Sequence, residues 1–171
     1  MRKLSMHELG RLTPEALQNL PKTPLVIVYD NVRSALNVGA AFRTADAFRL
    51  ERIVLCGITA QPPHKEIFKT ALGATETVAW QYAADTVAAI AALRAEGYEV
   101  WAVEQAEGSV WLNDFVADPQ QKYAFVFGNE VSGVSDAAIA ACNGCLEIPQ
   151  LGAKHSLNIS VCTGIVLWHC L

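Results

Sequence analysis

Three short polar stretches carry the side chains able to do chemistry. The first is Asn37-Val-Gly-Ala-Ala-Phe-Arg43, with an amide and a guanidinium six positions apart. A guanidinium stays charged at neutral pH and offers a rigid fork of donors to a phosphate or carboxylate. Asn37 is the expected cap of the helix that follows, which places Arg43 nearly two turns inside it. The second stretch is Phe127-Gly-Asn-Glu-Val-Ser-Gly133. A loop bounded by glycines can present backbone N–H groups and allows a ligand close to the chain. The third runs Ile148-Pro-Gln-Leu-Gly-Ala-Lys-His-Ser-Leu-Asn-Ile-Ser160, where Ser156 is the expected cap of a last helix. Taken singly, each has an ordinary explanation: a capped helix with a surface arginine, a strand-to-helix turn with a surface glutamate, and a second capped helix.

Other chemistries lack their residues. Gly128 and Gly133 stand five apart without a GxGxxG pattern, and no GxxxxGK[ST] phosphate loop or GxSxG elbow occurs. Cys142-Asn-Gly-Cys145 is a lone CxxC. Zinc would need two further ligands, and a redox pair would open a helix after a strand, whereas this pair follows a helix. No metal is expected. None of the four histidines pairs with a nucleophile.

The elements that must position these stretches follow from composition and pattern. The 171 residues are 52% apolar and 18% charged, which excludes disorder and suits one domain of ordinary size. Five cysteines with no framework spacing, and no secretory signal, point to reduced thiols and a cytoplasmic protein. The longest apolar run, Ile159 to Leu171, is too short to span a bilayer at ~20 residues, so no membrane partner is expected. The net charge of −4 is unevenly spread: residues 1–70 carry ten Lys or Arg against six Asp or Glu, and residues 71–171 carry three against eleven. The basic front half is either a chance surface distribution or an anion-binding surface built from Arg33, Arg43, Arg49, Arg52, Lys65 and Lys69.

Ser5 and Thr13-Pro14-Glu15 read as starts of short N-terminal helices. Buried parallel strands are expected at Leu25–Tyr29, Ile53–Cys56, Glu99–Val103 and Tyr123–Phe127, with short strands at Thr77–Trp80 and Leu146–Pro149. Helices are expected at Val38–Phe48, from a cap at Asp85 to Ala95, from a cap at Ser135 to Ala141, and at Leu157–Leu171. The alternation predicts an α/β fold with a mainly parallel sheet flanked by helices. Its functional loops belong at the carboxyl ends of strands. The last helix is apolar on most faces, so burial against a second copy is the simplest arrangement.

Together, NxGxxxR, FGNExxG and IPxxGxxxSLNxS, in this order after these strands, resemble the SpoU/TrmH branch of the SPOUT RNA methyltransferases. The resemblance covers Leu25 to Leu171 and every motif position is filled. It implies a methyltransferase domain over 25–171 after a helical segment at 1–24, and a deep C-terminal trefoil knot over Tyr123 to Ser160. It implies S-adenosyl-L-methionine held by Gly128, Glu130, Ile148, Ser156 and Leu157, and methyl transfer to a ribose 2′-oxygen of RNA. By the same resemblance Arg43 is the catalytic arginine, which holds a phosphate and stabilises the forming alkoxide rather than acting as base. Asn37 would hold Arg43, Glu130 would orient Asn158 or Arg43, and Ser156 and Asn158 would position the ribose and the methionine end. Arg33, Arg43, Lys65 and Lys154 would contact RNA. Members of the family are homodimers. The expected substrate is tRNA, with ribosomal RNA or a catalytically silent RNA-binding homologue as alternatives.

Overall fold

The structure, a computed structural model, describes residues 1–5, 8–10, 13, 16–17 and 20–171. The helices expected after Ser5 and from Thr13-Pro14-Glu15 run through residues outside that set. Strand β1 (Thr23–Asp30) lies inside the sheet because both of its faces are apolar. Leu25, Ile27 and Tyr29 enter one core, and Val26 and Val28 the other. That two-sided burial is why the strand reads as an unbroken apolar run.

The chain continues through α1 (Ala35–Ala47), β2 (Leu50–Cys56), α2 (Lys65–Ala71), β3 (Ala79–Ala83), α3 (Thr86–Ala95), β4 (Tyr98–Val103) and β5 (Val110–Trp111). It ends with β6 (Lys122–Phe127), α4 (Asp136–Ala141), β7 (Gly144–Glu147) and α5 (Ile159–His169). The seven strands form one sheet in the order β3-β2-β1-β6-β4-β7-β5. Every pairing is parallel. Helices α1, α2 and α5 join the core under Leu25, Ile27 and Tyr29, while α3 and α4 cover the opposite face. The α/β class with a parallel sheet therefore stands as the sequence predicts.

Several boundaries differ from the expected ones, each for a local reason. Helix α1 starts three residues earlier than expected, because Ser34 rather than Asn37 is its cap and accepts a hydrogen bond from the Asn37 N–H. Helix α5 is capped by Asn158, not Ser156, and its Oδ1 accepts from the Ser160 N–H at 2.9 Å. The strand expected at Thr77–Trp80 lies at Ala79–Ala83, behind a 3₁₀ turn at Ala74–Glu76. The last short strand is Gly144–Glu147 rather than Leu146–Pro149. The two-residue β5 has too little pattern to be read from sequence. Asp85 caps α3 as expected, through the Ala88 N–H. No helix among the described residues is long and apolar enough to cross a membrane.

Helices α1 and α2 cross with their backbones nearly touching, and Gly39 permits it. A Cβ built on Gly39 would overlap the Ile67 carbonyl and the Thr70 hydroxyl. That hydroxyl donates to the Leu36 carbonyl at 2.9 Å. Gly39→Ala gains about 1 kcal/mol of helix propensity but overpacks against backbone, which costs about 1–3 kcal/mol. Because the obstacle is partly a main-chain carbonyl, the second effect is expected to win. Thermal unfolding should show a Tm lower by a few degrees, and an unchanged or raised Tm would contradict this account of the crossing.

Candidate functional site

Parallel pairing places the carboxyl ends of β1, β4, β6 and β7 on one edge of the sheet, where their loops meet. The loops after β4, β6 and β7 enclose a cavity of ≈ 490 Å³. Gly128 and Glu130 line it from the loop after β6, and Ile148, Ser156, Leu157 and Asn158 from the loop after β7. The structure thus brings together all five residues expected to hold a cofactor, with Asn158 beside them. Phe127, Ile148 and Leu157 give it apolar wall, and the loop backbones give it donors and acceptors.

The loop after β6 is folded by Asn129 and Gly128. The Asn129 backbone exchanges two hydrogen bonds of 2.9 Å with Gly133, and its side chain accepts from the Val131 N–H and donates to the Asn31 carbonyl. Gly128 faces this turn so closely that a Cβ there would overlap the backbone of Gly133 and Val134. Glycine is required here by close approach of main chain, not by an unusual dihedral.

Glu130 reaches from that loop to the start of α1. Its carboxylate accepts the N–H groups of Arg33 (2.9 Å) and Ser34 (3.0 Å) and the Asn37 amide (3.0 Å). The Asn37 oxygen in turn accepts from the Asn158 amide at 3.3 Å. One chain of contacts, Glu130–Asn37–Asn158, therefore ties together the three stretches singled out by sequence. Glu130 is linked to Asn158 through Asn37, not directly. Beneath it, the buried Asp30 carboxylate accepts from the Thr86 hydroxyl, the Ser135 hydroxyl and N–H, and the Asn31 amide, all between 2.6 and 2.9 Å. The Ser135 hydroxyl is thereby spent on Asp30 instead of capping α4.

Burial pushes the Glu130 and Asp30 carboxyls up, but the donors around each outweigh it and hold both below the usual carboxylate range. A carboxyl lowered on folding stabilises the fold fully above its unfolded value and loses that contribution as pH falls through its folded value. Tm should therefore fall below about pH 4. In Glu130→Gln that acid-side fall is expected to be shallower when Tm is measured against pH. An identical profile would show that Glu130 carries no such charge-dependent bond.

Arg43 is exposed and does not line this cavity. It lines a neighbouring depression with Thr44, Phe48, Lys69, Ser160 and Val161. The expected hold of Asn37 on Arg43 is replaced by the Asn37 bonds to Glu130 and Asn158. What links the two hollows is α5's first turn: Asn158 lines the cavity, and its Oδ1 accepts from the hydroxyl of Ser160, which lines the depression, at 2.6 Å. Ser160 stands at the last position of the third motif, yet its role cannot be seen without the turn that aims it. Arg33 is exposed at the entrance to α1, Lys65 opens α2, and Lys154 is exposed on the loop after β7.

The architecture has close parallels. An S-adenosylmethionine-bound rRNA methyltransferase from Sinorhizobium meliloti superposes with a TM-score of 0.81 at 29% identity, over 94% of this chain and 60% of that one. A TrmH/SpoU tRNA modifying enzyme from A. aeolicus superposes with a TM-score of 0.79 at 26% identity, over 92% and 78%. The 23S rRNA (guanosine-2′-O-)-methyltransferase RlmB of Vibrio parahaemolyticus is 31% identical over 147 residues, 86% of this chain and 58% of that protein. The chain thus spans about three fifths of the length of the curated relatives it matches. Residues 24–168, which hold all three motifs and every side chain of the cavity, match the SpoU rRNA Methylase family, and the chain belongs to that family.

Proposed function

We propose that the chain transfers a methyl group from S-adenosyl-L-methionine to a ribose 2′-hydroxyl of RNA, with ribosomal RNA as the acceptor. The observation that carries this reading is the convergence of Gly128, Ile148 and Leu157 on one cavity that Asn158 and Ser160 join to Arg43. Ribosomal RNA replaces the tRNA expected from sequence because the curated relatives are named for 23S rRNA. Transfer RNA stays as a second reading, favoured by the name of the A. aeolicus neighbour.

The residues present fit the cofactor. Ile148, Leu157 and Phe127 are walls for an adenine, and the loop backbones can pair with its edge. When bound, S-adenosylmethionine supplies an electrophilic methyl group on a sulfonium. The chain contributes position and charge. Arg43 stays a guanidinium, holds an RNA phosphate and stabilises the alkoxide that develops at the 2′-oxygen. A phosphate oxygen is then a better proton acceptor than the arginine. Ser160 and Asn158 fix the ribose between depression and cavity, and Glu130 holds Asn37 and α1 so that Arg43 keeps its place. Arg33, Lys65 and Lys154 supply further phosphate contacts.

The same reading includes a homodimer. The stripe Val161, Ile165 and Trp168 is exposed on α5, continuous with the Arg43 depression through Val161 and Phe48. A second copy on that stripe would complete the depression. It also includes a methyltransferase domain over 25–171, a preceding helical segment at 1–24, and a knot over Tyr123 to Ser160. In support of the knot, the chain leaves β7, two strands beyond β6, and returns past β4 and β6 to seat α5 against α1.

Incubating the chain with methyl-labelled cofactor and, separately, 23S rRNA and total tRNA tests the substrate reading. Label is expected in rRNA. Label confined to tRNA would replace rRNA by the second reading, and label in neither would overturn both.

A further inference from the structure

The dipeptide Glu104-Gln105, just past β4, lies outside all three motifs yet borders the cavity. It grips both loops that form it. The Glu104 carboxylate accepts the Val134 N–H at 3.0 Å and the Gln105 N–H at 2.9 Å. The loop after β6 closes so tightly on it that a Cβ on Gly133 would overlap Glu104 Oε2. Gln105 Nε2 donates to the His155 carbonyl at 2.8 Å, in the loop after β7. The Glu104 backbone is itself pinned, its N–H donating to Leu146 at 3.0 Å and its carbonyl accepting from the Cys145 thiol.

Charge gives the pair a second consequence. The cavity is lined by two carboxylates, Glu104 and Glu130, and by no lysine or arginine among its described residues. Glu130 is spent on the start of α1 by three donors. Glu104 has two backbone donors on a group with about four acceptor positions, so it keeps capacity toward the cavity. The methyl donor and its product differ little in shape but differ by a full positive charge, since the sulfonium becomes a neutral thioether. Apolar walls sense a methyl group only weakly, whereas a fixed carboxylate senses a whole charge.

We propose that Glu104 positions the cofactor and determines its specificity, favouring the cationic sulfonium donor over the neutral thioether product, while Gln105 only clasps the loop after β7. This rests on the proposed methyl-transfer reading. The test is calorimetric titration of wild type, Glu104→Gln and Gln105→Ala with S-adenosylmethionine and with S-adenosylhomocysteine. Glu104→Gln is expected to weaken the donor about tenfold and the product by less than about twofold, shifting their affinity ratio. Gln105→Ala is expected to weaken both alike. Equal weakening of both ligands in Glu104→Gln, or no change, would overturn the assignment. Should that variant not fold, wild type supplies the readout: it is expected to bind an analogue bearing a cationic amine in place of the sulfonium more tightly than the thioether, and equal affinity overturns the proposal. Wild type that binds neither donor nor product would sink the methyl-transfer reading as well. Wild type that binds both, with a ratio Glu104→Gln leaves unmoved, would sink this inference alone.

Discussion

Replacing Arg43 with lysine is expected to lower kcat by about 100-fold or more while leaving S-adenosylmethionine affinity within about twofold. The split follows from where Arg43 lies. It is exposed in its own depression, outside the cavity that Gly128, Ile148 and Leu157 line, so the cofactor has no reason to sense the change. Lysine keeps the positive charge but loses the planar fork that can hold a phosphate through two parallel bonds. If charge alone were sufficient, Arg43→Lys would remain active. If geometry is required, the chemical step slows and binding does not. Single-turnover rates together with calorimetric cofactor affinity separate the two. A wild-type rate in Arg43→Lys would remove the bidentate role, and a parallel loss of cofactor affinity would place Arg43 in the cavity after all.

Gly128→Ala has the opposite signature: S-adenosylmethionine affinity is expected to fall by about 100-fold, together with a loss of fold stability of about 1–3 kcal/mol. The added methyl would occupy the space of the Gly133 and Val134 main chain, across the short bridge from Asn129 to Gly133. Flexible side chains could turn aside, but main chain cannot. The loop after β6 must therefore open, and it takes the Glu104 and Glu130 attachments with it. Gly164→Ala is the control, because it lies outside the three motifs and a Cβ there meets nothing within 4 Å. Titration and thermal unfolding of both variants check this. Equal cofactor affinity in the two would show that the turn does not shape the cavity.

How much was legible in advance depended on whether a signal was local. β1 and β6 read clearly because strands buried on two faces are continuous apolar runs. The three polar stretches read clearly because parallel strands deliver their loops to one edge. Caps were harder. Asn37 and Ser156 had the right residue types, yet Ser34 and Asn158 stood close by, and only tertiary bonds decided between them. Asn37 is taken by Glu130 from a loop 93 residues away. Asp30, Glu104 and Gln105 carry no signal by residue type alone, since an acid or amide after a strand is ordinary until its partners are known. Ser160 was in a motif but without a role, which came from its shared contact with Asn158. The strand-end rule, applied to β4 as it was to β1, β6 and β7, would have drawn attention to Glu104.

In the proposed function, the cavity and the Arg43 depression together deliver a methyl group to a sugar oxygen. The most direct measurement uses cofactor carrying an isotopically labelled methyl, a single turnover on 23S rRNA, digestion to nucleosides and mass spectrometry of the product. The label is expected on the ribose of one 2′-O-methylnucleoside, and in Arg43→Lys its appearance is expected to be slower by about 100-fold or more. Label on a base, or cofactor bound without any transfer from wild type to rRNA or tRNA, would contradict it.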